Sequence, residues 1–372
     1  MTDAAVDAVA DDVPEEIGAL CGQVQYEELS EIPVEHGYIW TSCASVENGN
    51  PIFWDEKIAA DITGGPIAPP SMVSVWFRPH NWAPGRTEQA LPLQVHFDLK
   101  EKLGLPEAVM TDNTIVFYEP VRIGDLLSTH QVLRSVSALK TTKLGEGRFW
   151  VIDVIYTNQR QELVAVESYT GFGYRRVKVE TGAVAASGSS SGSSAPPAPD
   201  DERDAAGEPS TSRSSPWSRT LDVVSVGERL APLSYDVSAT TVVLGALATR
   251  DWRPMHHDKD FAVERNGTRD IFLNTPNQAA WFERFITDWT GPRGRLGRIR
   301  FRMKGSVFPG DTMVMTGEVT ATSTDETGCG WVDLALALGV GGEVATSATA
   351  RVAIPVAPDD NPWRRSADRW KP

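Results

Sequence analysis

The chain has 372 residues and a formal net charge of −15, with 41% hydrophobic and 23% charged residues. At roughly 100–200 residues per domain, that length supports about two domains with cores of their own. A field this negative argues against nucleic acid or an anionic membrane surface as partner, and no apolar run approaches the ~20 residues of a membrane-spanning helix.

Residues 1–16, "MTDAAVDAVADDVPEE", are acidic, lack the basic and apolar regions of a signal peptide and read as a disordered N-terminal tail. Cys21, Cys43 and Cys329 are odd in number and widely spaced, which fits neither a disulfide framework nor a zinc site. The expectation is a cytoplasmic protein without a metal. Residues 17–182 form the first domain and residues 217–357 the second. Between them, residues 183–216 consist almost wholly of Ser, Gly, Ala, Pro and charge. Such a stretch buries too little apolar surface to offset its ordering entropy, so a disordered linker is expected. Residues 358–372 read as a C-terminal tail.

The two domains look duplicated. "IVFYEPVRIGDLL" begins at Ile115 and "IRFRMKGSVFPGD" at Ile299. Each is a strand, a polar break and a Gly-Asp turn, Gly124-Asp125 or Gly310-Asp311, followed by alternating apolar residues. Two further strand-like runs close each half. Earlier in the second half, "NTPNQAAWFERFITDW" carries apolar residues at helical spacing, with Thr275 as the expected N-cap before Pro276. A helix laid on an antiparallel sheet, twice over, is an α+β architecture.

The stretch "TRDWRPMHHDKD" places Asp251, Pro254 and His256 close together, with a second histidine, His257, beside the first. Together with "DIFLNTPNQAAWFERF" and "VFPGD", it resembles the MaoC-type (R)-specific enoyl-CoA hydratases. Their pattern runs Asp, any residue, Asn, Pro, aliphatic, His. The resemblance is strongest to the hydratases of steroid side-chain degradation that carry an N-terminal FAS1-like dehydratase domain. It implies two tandem hot-dog domains, each a helix wrapped by an antiparallel sheet, and an acyl-CoA thioester substrate, coenzyme A being part of the substrate and no further cofactor needed. Arg253 stands where the family has Asn. In the first half the same positions read Asn48, Asn50, Pro51 and Phe53, so the acid and the imidazole are both missing there.

Asp251 and His256 are the expected catalytic pair. Water is a poor nucleophile, and a carboxylate and a neutral imidazole that share one water draw off its proton as the oxygen attacks the β-carbon. Developing charge on the thioester oxygen calls for donors at the N-terminus of the "NTPNQAAW" helix. Pro276 has no N–H, which leaves Thr275, Asn277 or Gln278.

Arg298, Arg300, Arg302 and Lys304 recur at period two, a cationic strand face able to meet the phosphates of coenzyme A. In the first half, "PPSMVSVWFRPHNW" is broken by Pro79, and a shortened helix there would leave an acyl pocket lined by Met72, Val75, Trp76 and Trp82. The expected reaction is hydration of a 2-enoyl-CoA with a bulky acyl group, of steroid side-chain type. The alternatives are a hot-dog thioesterase and a non-catalytic acyl-CoA-binding scaffold. The composition also permits a homodimer and docking with other side-chain-degrading enzymes.

Overall fold

The computed structural model describes residues 8–85, 93–176 and 219–372; the linker expected over residues 183–216 lies outside them. In the first half, β1 (Ala8–Val9), α1 (Glu15–Gly18), β2 (Val24–Leu29), α2 (His36–Ser45), α3 (Glu56–Thr63) and α4 (Gln94–Lys102) come before the main strands. These are β3 (Glu107–Phe117), β4 (Leu127–Val136), β5 (Lys140–Thr142), β6 (Gly145–Asn158) and β7 (Leu163–Arg175). In the second half, β8 (Arg229–Asp236), α5 (Ala239–Ala248) and α6 (Thr275–Thr290) precede β9 (Arg295–Met303), β10 (Thr312–Thr324), β11 (Gly330–Val340) and β12 (Glu343–Ile354).

The strands join into one sheet. The order β2-β4-β6-β7-β3 of the first half is repeated as β8-β10-β11-β12-β9 in the second. The halves meet edge to edge through antiparallel β3 and β9, and Ile115 lies directly opposite Ile299. These two residues open the matching sequence stretches, so an approximate two-fold axis runs between them. The Gly-Asp turns repeat as well. Gly124 and Gly310 have φ of 83° and 86°, a region that favours glycine, and the carboxylates of Asp125 and Asp311 accept from the backbone N–H of Arg122 and Phe308. The architecture is α+β, a double hot-dog.

Helix α6 is buried on nearly every side, which makes it the central helix of the molecule. Its N-cap is Asn274, whose side chain accepts from the N–H of Asn277, and not Thr275 as the sequence led us to expect. Thr275 is instead the first helical residue. Helix α5 lies close against this end. A Cβ added to Gly245 would fall 2.6 Å from the Asn277 side chain. Gly245→Ala is therefore expected to push the two helices apart and cost about 1–3 kcal/mol, a lowered Tm by calorimetry.

Residues 8–16 of the segment expected to be a disordered tail, and the C-terminal residues 358–372, pack on the body. Val9 pairs with Val136 at the edge of β4, and Ile17 of α1, the helix that follows, is fully buried in the core. Residues 358–372, which belong to the second half, run back over the first. Asn361 Nδ2 donates to the Ile62 carbonyl at 2.7 Å, and Trp370 Nε1 donates to the Phe117 carbonyl at 2.7 Å. Arg295 anchors this segment. Its guanidinium lies 3.7 Å from the Trp370 ring centroid and donates to the carbonyls of Pro362, Arg365 and Tyr118. Among the described residues, no helix is long and apolar enough to cross a membrane.

Candidate active site

Asp251 is delivered by the way α5 ends. Arg250 N–H donates to the Leu247 carbonyl at 3.0 Å and Asp251 N–H to the Ala246 carbonyl at 2.8 Å, the paired bonds of a Schellman cap. Arg250 occupies the left-handed position at φ 51°, where glycine is usual. A single 3₁₀ turn, Pro254–His256, follows and brings His256 round to the same side. The first half builds the identical device. Glu47 has φ 52°, Asn48 N–H donates to the Cys43 carbonyl at 2.8 Å, and Pro51–Phe53 forms the turn. The backbone is alike in both halves, but Asn48 and Phe53 stand at the positions of the acid and the imidazole, so the first half has the frame without the chemistry.

His256 Nε2 lies 3.7 Å from Asp251 Oδ2, and both side chains are nearly buried. On the far side of the ring, Nδ1 is 2.8 Å from the Phe272 carbonyl oxygen. A carbonyl can only accept, so Nδ1 carries the proton and Nε2 of the neutral ring turns a lone pair toward Asp251. Phe272 also sets its ring edge-on to the imidazole, at 4.8 Å between centroids. Asp251 Oδ2 accepts from Asn274 Nδ2 at 2.9 Å and pairs with Arg78 at 3.1 Å.

Burial would push the Asp251 carboxyl up, but Arg78, His256 and Arg253 together hold it below the usual carboxylate range. Burial pushes the imidazole of His256 down. Arg253 and Arg78 add to that, against the pull of Asp251 and the Phe272 carbonyl. The pair thus rests as carboxylate and neutral imidazole. Among the described residues, no group of three His, Cys, Asp or Glu side chains is placed to hold a metal.

The other expected site residues are placed as follows. Asn277 N–H is already bonded to the Asn274 side chain at 3.0 Å and Gln278 N–H to the Asn274 carbonyl at 3.1 Å, which removes both from the oxyanion role. Thr275 N–H makes no hydrogen bond among the described residues and sits at the open end of α6. Arg298, Arg300 and Arg302 do share the outward face of β9, with Ile299 and Phe301 buried on the other. However, Arg300 and Arg302 both reach Asp112 of the first half, at 2.8 and 3.3 Å, an acid with no pattern to mark it in sequence. Lys304 follows the strand end, where the Thr275 hydroxyl donates to Met303 Sδ at 3.3 Å. Met72, Val75 and Trp76 are each 1% exposed. The segment around them forms two 3₁₀ turns whose side chains fill the interior, and Trp82 lies outside at 74% exposure. Met72, Val75 and Trp76 are core and not the lining of an open acyl pocket.

Sequence reasoning missed Arg78, Asn274 and Phe272. The signals were faint: an arginine inside the apolar run "SVWFRPH", and an asparagine one place before the residue chosen as cap.

Comparison with known proteins extends this picture. The model of the FAS1-like, dehydratase domain region matches residues 19–167. The chain is 39% identical over 98 residues to the 3-oxo-4,17-pregnadiene-20-carboxyl-CoA hydratase beta subunit of Mycobacterium tuberculosis, covering 26% of this chain and 75% of that one. It is 32% identical over 134 residues to a probable enoyl-CoA hydratase alpha subunit of Thermomonospora curvata, over 35% of this chain and 42%, less than half, of the relative. Two solved structures share the fold. A MaoC-like dehydratase covers 90% of this chain and 99% of its own at TM-score 0.60 and 16% identity. A conserved hypothetical protein of Mycobacterium tuberculosis with a double hotdog fold covers 90% and 96% at TM-score 0.56 and 14% identity. A relative this similar over three quarters of its own length shows that the chain belongs to the MaoC-type enoyl-CoA hydratase family.

Proposed function

We propose that the second half hydrates a 2-enoyl-CoA to a 3-hydroxyacyl-CoA. The observation that carries this reading is the facing of a bare imidazole nitrogen and an ionised carboxylate 3.7 Å apart. Two acceptors at that separation both reach one water through bonds of about 2.8 Å, each taking one of its hydrogens. As the water oxygen attacks the β-carbon, its proton passes to His256 Nε2. The electron pair of the double bond moves toward the thioester carbonyl, whose oxygen takes up charge near the free N–H of Thr275 at the positive end of α6. The imidazolium formed at His256 then returns that proton to the α-carbon as the electron pair comes back from the thioester oxygen, which restores the neutral ring and closes the balance as one water added across one double bond.

The acyl group is proposed to be bulky and of steroid side-chain type, supported by the name of the beta-subunit relative. That relative and the alpha-subunit relative are subunits of their enzymes, whereas here both hot-dog units stand in one chain. For coenzyme A, Arg302 and Lys304 are the proposed phosphate contacts, because the end of β9 lies beside the first turn of α6. Arg302→Ala combined with Lys304→Ala is expected to raise KM for a CoA ester several-fold with kcat retained. An unchanged KM removes the patch.

The test of the whole reading is a panel from crotonyl-CoA to a steroid enoyl-CoA, followed both for loss of enoyl absorbance and for release of free thiol. Loss of absorbance without thiol supports hydration. Thiol release alone identifies a thioesterase, and neither signal leaves a binding protein.

A further inference from the structure

We infer that Arg78, supplied by the half that lacks the acid/base pair, is a positioning residue for Asp251, so that the active site is a joint product of both halves. This deepens the hydratase reading and rests on it for the catalytic part.

The observation is a doubled contact. Arg78 Nη1 lies 3.1 Å from Asp251 Oδ2, with the two side chains 19% and 8% exposed. One residue further along each strand of chain, Trp252 Nε1 donates to the Pro79 carbonyl at 2.7 Å. The segments 78–79 and 251–252 are therefore fastened to each other twice, 173 residues apart in sequence. Local geometry prepares the contact. A 3₁₀ turn, Val75–Phe77, ends at Arg78, whose φ and ψ of −79° and 116° are the extended values favoured before a proline. Pro79 thus serves two ends: it fixes the backbone from which Arg78 departs, and its carbonyl takes the indole of Trp252.

The carboxylate needs such a partner. A nearly buried acid without a cation would take up a proton and lose its use as a water-binding anion. Asn274 orients Asp251 Oδ2 but brings no charge. Arg253 meets the carboxylate through its backbone N–H at a long 3.4 Å, and its side chain forms no ion pair or hydrogen bond among the described residues. Among the described residues, Arg78 alone combines full charge with direct contact. The groups facing the pair are Arg78 from the first half, Arg253 from the same loop, and Asn274 and the Phe272 carbonyl from the segment leading into α6.

The experiment compares Arg78→Ala, Arg78→Gln and Arg78→Lys with the wild-type full chain. With crotonyl-CoA, Arg78→Ala and Arg78→Gln are expected to lower kcat on the order of tenfold or more, with KM nearly unchanged. Arg78→Lys restores part of the rate. The acid limb of kcat/KM should shift to higher pH in the two uncharged variants. A second readout needs no turnover: the His256 ring resonance, titrated by NMR without substrate, should move to higher pH when the Arg78 cation is removed.

A raised KM with unchanged kcat would make Arg78 a substrate contact and overturn the inference. So would an equal loss of rate in all three variants with unmoved pH profiles, the mark of a merely structural prop. Should the wild type hydrate no enoyl-CoA at all, the NMR titration still decides. A shifted His256 transition then keeps Arg78 as partner of Asp251 while the hydratase reading falls; an unshifted one overturns the positioning role itself.

Discussion

His256→Ala is expected to lower kcat for an enoyl-CoA by about 10²–10⁴-fold while leaving the fold intact. The side chain gives up only one hydrogen bond, to the Phe272 carbonyl, and one ring contact. Asp251→Ala is expected to lose as much rate and also stability, because Arg78 and Asn274 then face a buried void instead of an anion. Rates from enoyl absorbance and Tm from calorimetry separate the two cases. The pH profile follows from the same geometry. Burial holds the His256 transition below its ordinary 6.5, so the base form persists and the acid limb of kcat/KM should lie below about pH 6.5. Near-normal rates in both variants would end the proposal.

Glu283→Gln is expected to stabilise the protein at pH 8 and to do little near pH 4.5. Glu283 sits in the middle of α6 at 1% exposure, accepts from Ser71 N–H of the first half at 2.8 Å, and forms no ion pair among the described residues, the adjacent Arg284 pairing with Glu47 and Asp288 instead. Cys43 is the other titratable group that faces it. Burial raises the carboxyl from its ordinary 4.5 to about 7, with the Ser71 bonds opposing. A folded state that holds a proton the unfolded chain has released loses stability as pH rises from about 4.5 to about 7, and the loss is complete above that. The displacement corresponds to roughly 3 kcal/mol as a ceiling. Glutamine cannot ionise, so its gain should appear only across that window in denaturation curves taken at several pH values. An equal gain at every pH would show that shape, and not charge, decides.

Much of the fold could be read from local pattern. The period-two strands, the Gly-Asp turns and the matching runs at Ile115 and Ile299 each lie within a few residues, and the structure sets those two isoleucines face to face. Asp251 and His256 were legible for the same reason, being five positions apart across one proline. What escaped was long-range. Arg78, Asp112 and the C-terminal segment act on residues far away in the chain, and no periodicity announces such pairs. The expected acyl pocket failed on a different ground. Pro79 does break the helix there, but Met72, Val75 and Trp76 simply fill the space a regular helix would have taken. The cap was misread by one place because Asn274 and Thr275 are both good capping residues and only the side-chain bond to Asn277 tells them apart.

The edge-to-edge meeting of β3 and β9 also bears on how copies of the chain can associate. Each half consumes one open border of its sheet on the other, and the two outermost borders are poor templates for a further strand. Strand β8 carries Pro232, which has no N–H to offer. The opposite border, on β4, is shared by the two-residue β1 and by β2, which is kinked by Tyr26 at φ 53° and bears Glu27 and Glu28 side by side. Lengthening of the sheet by a second molecule is thereby discouraged at both ends, so crowding at high concentration should not seed ribbon-like aggregates from the native state.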